Sequence, residues 1–257
     1  MNYTLEDMYG LKDKVCIVTG AGRGIGREVA AGLASIGAHA VLVDISQPLL
    51  DEALQEFTGR GLSGFAVATD ITNEASVDAM TDTVVRKYGR IDGLVNCAGV
   101  TYLEEQQDFN IDKFKWVMDI NLTGTMICCK SVSKYMLEKK AGRIVNISSV
   151  RGSQGKAKFS AYAASKGAIN NLTRSIAVEF ARHNINVNAV APIFTLTDIN
   201  KDILDQKEAY NWVMGRLPKG RLCEKHLLVG PIAFLLSQCS DFVTGQILHV
   251  DGGWMAG

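Results

Sequence analysis

The amino-acid sequence predicts an α/β protein: a doubly wound parallel sheet of about seven strands, with helices on both faces as a three-layer sandwich. Three observations lead to this prediction. Short apolar runs alternate along the chain with longer segments of helical apolar spacing. The short runs are apolar throughout rather than at every second residue, which parallel strands buried on both faces require. The first of these runs is joined to a helical segment by a loop rich in glycine.

The first half of the chain predicts four strands with helices between them. The strands are the apolar runs at 14–19, 38–44, 64–69 and 91–96. The first helix begins near Ile25, and Gly37 ends it. The second helix covers 47–57, and the third follows a cap at Thr72 or Asn73.

The second half continues the alternation. The predicted strands are 142–148, 185–191 and 245–250, and the predicted helices are 112–139, 159–183, 198–214 and 224–237. The segment 193–221 is polar for its length, so we expect it to include a lid over a substrate site, although a static side wall would have the same character. No linker rich in Gly, Ser or Pro divides the chain, and we therefore expect one domain covering 1–257.

Composition narrows the possible function classes. Lys plus Arg and Asp plus Glu both number 27, so the chain lacks the basic excess typical of nucleic-acid or anionic-membrane binding. No apolar run approaches the roughly 18 residues that predict a membrane span. The cysteines form no CxxC pair and the histidines no HxxxH spacing, which argues against a metal site. We expect a cytoplasmic protein that acts on a small molecule, without metal, nucleic acid or membrane.

The loop after the first strand, 19–26, has the sequence TGAGRGIG. Glycines let a backbone approach a pyrophosphate closely, and the N-terminus of the following helix supplies free N–H groups. A tight turn without a ligand is the alternative. The predicted dinucleotide contacts in this loop are Gly20, Arg23, Gly24, Ile25 and Gly26.

Asp44 ends the second strand, close to the spacing of an acid that binds the cofactor ribose. A carboxylate there accepts hydrogen bonds from ribose hydroxyls and repels a 2′-phosphate, whereas a helix cap is the alternative role. Arg23 is a cation that could pair with a 2′-phosphate. We give Asp44 more weight, because burying a phosphate against a carboxylate costs more than leaving an arginine solvated. The sequence therefore predicts NAD, with NADP the less favoured cofactor.

Tyr162 and Lys166 are four residues apart on a predicted helix, so they share one face. A phenol with a pKa of ~10 is a poor base at neutral pH, and a nearby ammonium favours its ionised form. Such a pair alone is more often a solvated surface pair. Ser149, however, ends the fifth strand at the sheet edge where ligands of open α/β sheets bind.

Three further motifs accompany this set: Asn96-Cys97-Ala98-Gly99 after the fourth strand, Asn121, and Asp251-Gly252-Gly253. In this order and spacing, the motifs resemble the short-chain dehydrogenase/reductase family of the ~250-residue type, from about residue 11 onward. The chain departs from the family pattern at Cys97, where a second Asn is usual, and at Ile193, where a glycine is usual.

The resemblance implies hydride transfer between NAD(P) and a secondary alcohol or ketone. Tyr162 would exchange a proton with the substrate oxygen. Lys166 would hold the ribose and, with help from the positive nicotinamide, lower the Tyr162 pKa. Ser149 would hydrogen-bond the reacting oxygen, and Asn121 would hold a proton-relay water, unless it simply bonds its own backbone. Asp70 would face the adenine, with a helix cap as its alternative role. The remaining implied cofactor contacts are Ile71, Asn96, Ala98, Gly99, Pro192, Thr195 and Thr197, and Tyr162 is a cofactor contact as well as a catalytic residue.

The loop after Ser149 contains three cations and no acid. It is either a solvated surface loop or a site for an anionic substrate, with Arg151, Gln154, Lys156 and Lys158 as candidate contacts. Segments 181–185 and 241–245 resemble the branch that oxidises sugar acids and polyols, including gluconate 5-dehydrogenases. The alternatives are an NADPH-dependent 3-oxoacyl-carrier-protein reductase and a nucleotide-binding regulator without turnover.

The family resemblance also implies a homotetramer built on the two long helices and the C-terminal region. Small and apolar residues on the second long helix suit close packing, although the core accounts for part of them: Ala161, Ala164, Ala168, Ile169, Leu172 and Ile176.

Overall fold

The structure is a computed structural model that describes residues 4, 9–195 and 207–257. The strands are β1 Val15–Thr19, β2 His39–Asp44, β3 Gly64–Ala68, β4 Gly93–Asn96, β5 Gly142–Ile147, β6 Ile185–Pro192 and β7 Ile247–Val250. The helices are α1 Gly24–Ser35, α2 Gln47–Gly59, α3 Glu74–Tyr88, α4 Ile111–Met118, α5 Gly124–Lys139, α6 Ser160–Phe180, α7 Lys207–Arg216 and α8 Val229–Leu236.

The seven strands form one sheet in the order β3-β2-β1-β4-β5-β6-β7. Every neighbouring pair is parallel. The strand order reverses between β1 and β4, which is the topological switch point of a doubly wound, Rossmann-type sheet. The fold class predicted from the sequence is therefore confirmed, and ligands of such sheets bind beyond the carboxyl ends of the strands at this point.

Each face of the sheet packs against its own helix layer. In β1, Cys16 and Val18 belong to the core formed with α1, α2 and α8. Val15 and Ile17 point to the opposite core, formed with α3, α5 and α6. Alternate residues therefore serve different cores, which explains why the strands are apolar at every position.

Most predicted elements lie within a few residues of their expected positions. Of the two residues predicted to cap α3, Asn73 is the cap, since its side chain accepts a hydrogen bond from the Ser76 N–H. The predicted helix 112–139 is divided into α4 and α5 by a π-helical turn, Asp119–Thr123. The predicted lid, 193–221, lies partly outside the described residues, which omit 196–206 and with them Thr197. Within the described ranges, none of the helices is both long and apolar enough to cross a membrane.

Candidate active site

A cavity of about 980 Å³ opens above the carboxyl ends of the strands at the switch point. This volume is at the upper end of the range for small-molecule sites. The predicted site residues that line it are Gly20, Arg23, Gly24, Ile25, Gly26, Asp44, Asp70, Ile71, Ala98, Gly99, Ser149, Arg151, Tyr162 and Lys166. The fold thus brings most of the predicted cofactor contacts and the predicted catalytic side chains, apart from Asn121, to one cavity.

The glycine loop packs too closely for side chains at two positions. Gly20 has a φ of +67°, and a Cβ there would lie 2.8 Å from the Ala98 Cα. A Cβ on Gly26 would overlap the Gly20 carbonyl oxygen. The Thr19 hydroxyl accepts hydrogen bonds from the N–H groups of Cys97 and Ala98, at 3.1 and 3.2 Å. The loops after β1 and β4 are thereby joined into one backbone cradle that fits a dinucleotide.

Asp44 connects this cradle to the end of β2. One carboxylate oxygen accepts from the Gly22 N–H and the other from the Ser46 N–H, both at 3.1 Å. Asp70 accepts from the Thr72 backbone and hydroxyl, while Asn73 caps the helix. The alternative role of Asp70 as the cap of α3 is therefore wrong, and its carboxylate lies at the cavity.

Ser149, Tyr162 and Lys166 meet at the other end of the cavity. Ser149 follows β5 and Tyr162 lies in the first turn of α6, and the Ser149 hydroxyl is close enough to the phenol to lower its pKa. The Lys166 Nζ lies 5.6 Å from the centre of the Tyr162 ring and donates to the Ile147 carbonyl at 2.7 Å. A phenol and an alcohol therefore face the same space beside a buried ammonium, as transfer of a proton to or from one substrate oxygen requires.

Burial is the main cause of the pKa shifts of Tyr162 and Lys166. Desolvation raises the pKa of the Tyr162 phenol, although the hydrogen bond from Ser149 and the charge of Arg151 oppose the shift. Desolvation lowers the pKa of Lys166 to about 8. In the chain by itself, loss of solvent outweighs the hydrogen bond from Ser149 and the charge of Arg151. The lowering of the Tyr162 pKa expected from Lys166 together with a positive nicotinamide stays a prediction.

The buried ammonium of Lys166 predicts a pH-dependent stability. Its pKa is about 8 in the folded chain, against an ordinary value of 10.5 for a lysine in water. Between these values the unfolded state binds more protons, so the Lys166 contribution to stability rises with pH across this window. We expect the unfolding free energy of the wild type, relative to Lys166→Met, to increase from pH 8 to pH 10 by at most about 1.4 kcal/mol per pH unit.

Urea unfolding at pH 7, 8, 9 and 10 measures this difference. Lys130→Met is the matched control, because the pKa of that exposed ammonium is raised by its hydrogen bond to Glu74. The control should show no such rise with pH. A wild-type-to-Lys166→Met difference that stays constant from pH 7 to pH 10 would contradict the prediction.

Asn121 is fully buried in the π-helical turn. Its side-chain oxygen accepts from the Val100 N–H at 2.8 Å, and its amide nitrogen donates to the Val100 carbonyl and the Ser165 hydroxyl, both at 2.9 Å. The amide therefore fastens the loop after β4 to α6. With these three partners the amide group is not the part of Asn121 that would hold a relay water.

Several other predicted contacts do not line the cavity. Asn96 is buried below it and donates to Asn146 at 2.9 Å. Pro192 is the last residue of β6, and the Thr195 hydroxyl donates to the Ile193 carbonyl at 3.0 Å. Ile193 itself lines the cavity and packs in an apolar cluster, without a positive φ. The side chain that replaces the usual glycine is thus accommodated by apolar packing.

The loop cations have different surroundings. Lys158 is exposed and lies 3.0 Å from Glu105, away from the cavity. Gln154 accepts from the Trp254 indole N–H at 2.8 Å. Lys156 lies 4.6 Å from the centre of the Trp212 ring. Only Arg151 among the predicted substrate contacts of this loop reaches the cavity wall.

Sequence reasoning missed the surroundings of Arg151. Three cations and four aromatic rings pack together there, and we call them the aromatic–cation cluster: Arg151, Lys156, Arg216, Phe159, Phe194, Trp212 and Trp254. The members come from the loop after β5, the end of β6, α7 and the segment after β7. No local pattern predicts the cluster, since its members meet only through the tertiary fold.

Comparisons with known proteins agree with this geometry. Residues 14–208 match the family model for short chain dehydrogenase. The chain is 34% identical to the 5-keto-D-gluconate 5-reductase of Escherichia coli (strain K12), covering 98% of this chain and 99% of that one. It is 36% identical to a 3-oxoacyl-[acyl-carrier-protein] reductase of Synechocystis sp., covering 96% and 98%.

A solved structure is equally similar. The gluconate 5-dehydrogenase of Burkholderia cenocepacia J2315, in complex with NADP and tartrate, superposes with a TM-score of 0.95. It is 33% identical, and the match covers 99% of this chain and 100% of that chain. The predicted resemblance and reaction class are thus confirmed: the chain belongs to the short-chain dehydrogenase family and is an NAD(P)-dependent oxidoreductase acting on a CH–OH group.

Proposed function

We propose that this protein is an NAD-dependent dehydrogenase of sugar acids or closely related polyols. One observation supports the proposal above all: Ser149, Tyr162 and Lys166 line the same cavity as the glycine loop and Asp44. The names of the gluconate relatives support a sugar acid as the substrate. A regulator without turnover would have no use for the hydroxyl pair of Ser149 and Tyr162.

We assign the proton transfer to Tyr162. In alcohol oxidation its phenolate accepts the hydroxyl proton of the substrate, and in ketone reduction its phenol returns that proton. The bound nicotinamide supplies the hydride acceptor or donor. Ser149 donates a hydrogen bond to the reacting oxygen, so that this oxygen is held by two groups that are already in place. Lys166 keeps a positive charge beside the phenolate and is the proposed partner of the ribose hydroxyls.

Asn121 acts in this proposal as a positioning residue. Its amide fixes Val100 against Ser165 and so holds the loop after β4 in place beneath Lys166. The backbone carbonyl of Asn121, rather than its side-chain amide, is the proposed contact of a relay water. This carbonyl also accepts a hydrogen bond from the Thr125 hydroxyl at 2.7 Å.

Turnover assays with purified protein test the substrate class. D-gluconate, sorbitol and a simple secondary alcohol are each assayed with NAD and NADP, and acetoacetyl-CoA with NADH and NADPH. Oxidation of gluconate well above that of the simple alcohol supports the proposal. Preferred reduction of acetoacetyl-CoA with NADPH would instead favour the carrier-protein reductase, and absence of turnover with every pair would favour the regulator.

The preference for NAD rests on Asp44. Its carboxylate lies at the cavity, where it accepts a hydrogen bond from the glycine loop at the end of β2. At this position it would repel the 2′-phosphate of NADP. Arg23 and the NADP of the Burkholderia relative argue for the other nucleotide. We expect Asp44→Asn to shift the kcat/KM ratio of NADH to NADPH toward NADPH by about 10- to 100-fold, because the substitution keeps the shape and removes the like charge.

Steady-state kinetics with both reduced cofactors measure the shift. Asp51→Asn is the control, since it makes the same change at an exposed position of α2. A wild-type enzyme that already prefers NADPH, or an unchanged ratio in Asp44→Asn, would show that Asp44 does not select the cofactor.

We also propose a homotetramer and a cytoplasmic location. Ala164 and Val178 of α6 are exposed and available to a second copy, whereas Ala161, Ile169 and Ile176 are buried in the chain's own core. The cysteines are all free, in keeping with a reducing compartment. Light scattering tests for about four times the 27.8 kDa chain mass, and cell fractionation tests the location.

A further inference from the structure

Arg151 is a buried cation without a carboxylate partner among the described residues. Its side chain follows Ser149 by two positions, and the residue is only 5% exposed. One terminal nitrogen, Nη1, donates to the Gln154 side chain and the Gly155 carbonyl, both at 3.3 Å. The other, Nη2, is buried and has no hydrogen-bond partner within 9–195 and 207–257. A guanidinium placed in this way lacks an acceptor for its strongest hydrogen bonds.

The neighbours of Arg151 raise the local positive charge further. The rings of Phe159, Phe194 and Trp254 surround the guanidinium at 5.7 to 5.9 Å. Aromatic faces attract a cation, but they do not accept the hydrogen bonds that a carboxylate accepts. Burial, and after it the charge of Arg216, lowers the pKa of Arg151. Burial, and after it the charge of Arg151, lowers the pKa of Lys156. The aromatic–cation cluster thus concentrates three cations without an acid of its own.

The cluster also lies beside the reacting groups. Arg151, Phe159 and Phe194 line the same cavity as Tyr162. The Arg151 N–H donates to the Ser149 hydroxyl at 3.1 Å, so the two residues share one turn. The guanidinium and the hydroxyls of Ser149 and Tyr162 therefore face one cavity, where a single molecule can reach all three.

We propose that Arg151 binds the carboxylate of the substrate and selects hydroxy acids over neutral polyols. The inference rests on the proposed function and adds to it the residue that recognises the acid. A carboxylate is planar and accepts two parallel N–H bonds from a guanidinium. Lys156 and Arg216 add positive potential without direct contact.

Paired kinetics with an acid and its neutral counterpart test the specificity. D-gluconate and sorbitol have the same carbon number and differ in charge. We expect Arg151→Met to raise the KM for gluconate by about 30- to 100-fold, the effect of losing hydrogen bonds to a charged group. Any effect of the lost Arg151 charge on Tyr162 would change kcat for both substrates alike. The KM for sorbitol should therefore change by less than about threefold, and Arg151→Lys should recover part of the gluconate KM. Arg86→Met, the same change at an exposed position of α3, is the control for net charge.

A binding measurement separates this inference from the proposed function. Calorimetric titration of gluconate and of tartrate into protein saturated with NADH reports carboxylate binding without oxidation. Binding by the wild type and the Arg86→Met control, and its loss in Arg151→Met, supports the inference even when gluconate is not oxidised.

Three results would overturn it. The first is gluconate oxidation with the same KM in Arg151→Met and the wild type, which would leave the proposed function standing. The second is an equal rise in the KM for gluconate and for sorbitol, which would indicate a structural role for Arg151. The third is binding of inorganic phosphate in place of either carboxylate.

Discussion

Tyr162→Phe is expected to lower kcat by about 10²- to 10⁴-fold, the usual contribution of a general acid–base group. The substitution removes one hydroxyl and keeps the ring, which packs edge to face with Phe159 at 6.3 Å. The glycine loop and Asp44 are untouched. The dissociation constant for NADH, measured by fluorescence, should therefore stay within about threefold of the wild-type value.

Tyr135→Phe provides the matched control. It removes a hydroxyl that is bonded to Asp82, on helices α5 and α3, far from the cavity. Its kcat should equal that of the wild type. A Tyr162→Phe variant that keeps more than about a tenth of the activity would remove Tyr162 from the proposed proton transfer.

Gly26→Ala is expected to have the second large effect, on both folding and cofactor binding. Its Cβ would overlap the Gly20 carbonyl, a backbone atom that moves only with the loop. Overpacking of this kind costs about 1–3 kcal/mol, or a fall in Tm of several degrees for a chain of this size. Because the displaced loop is the proposed pyrophosphate cradle, we also expect the dissociation constant for NADH to rise at least tenfold.

Gly59→Ala makes the same change where there is room. Gly59 ends α2, and a Cβ there meets nothing within 4 Å. Alanine also restricts the unfolded chain more than glycine does, so this variant should be as stable as the wild type or slightly more stable. Differential scanning calorimetry compares the two. Equal Tm values and equal NADH affinities for Gly26→Ala and the wild type would show that the loop tolerates a side chain.

The sequence predicts the fold and the cofactor end of the site because both depend on local patterns. Strands buried on both faces are apolar at every residue, so their limits are visible without a structure. The carboxyl ends of parallel strands share one edge, which places Gly20, Ala98 and Ser149 on the same side of the sheet. Hence most of the predicted cofactor contacts lie at one cavity.

Other features depend on contacts between distant segments and could not be predicted. Asn121 has the expected position, but its amide partners, Val100 and Ser165, belong to a loop and a helix that meet only in three dimensions. The pKa of Tyr162 follows from how deeply the phenol is buried, which residue spacing does not report. For the same reason, the pairing of Lys158 with Glu105 rather than with the cavity was not visible in the loop sequence.

The hydrogen bond between Trp254 and Gln154 has a practical consequence for anyone preparing the enzyme. It joins residues 100 positions apart and holds the Trp254 ring against Arg151 in the aromatic–cation cluster. Removing the Trp254 side chain would disturb the substrate end of the cavity and leave the glycine loop intact. Preparations that keep Trp254 are therefore the appropriate material for comparing substrates.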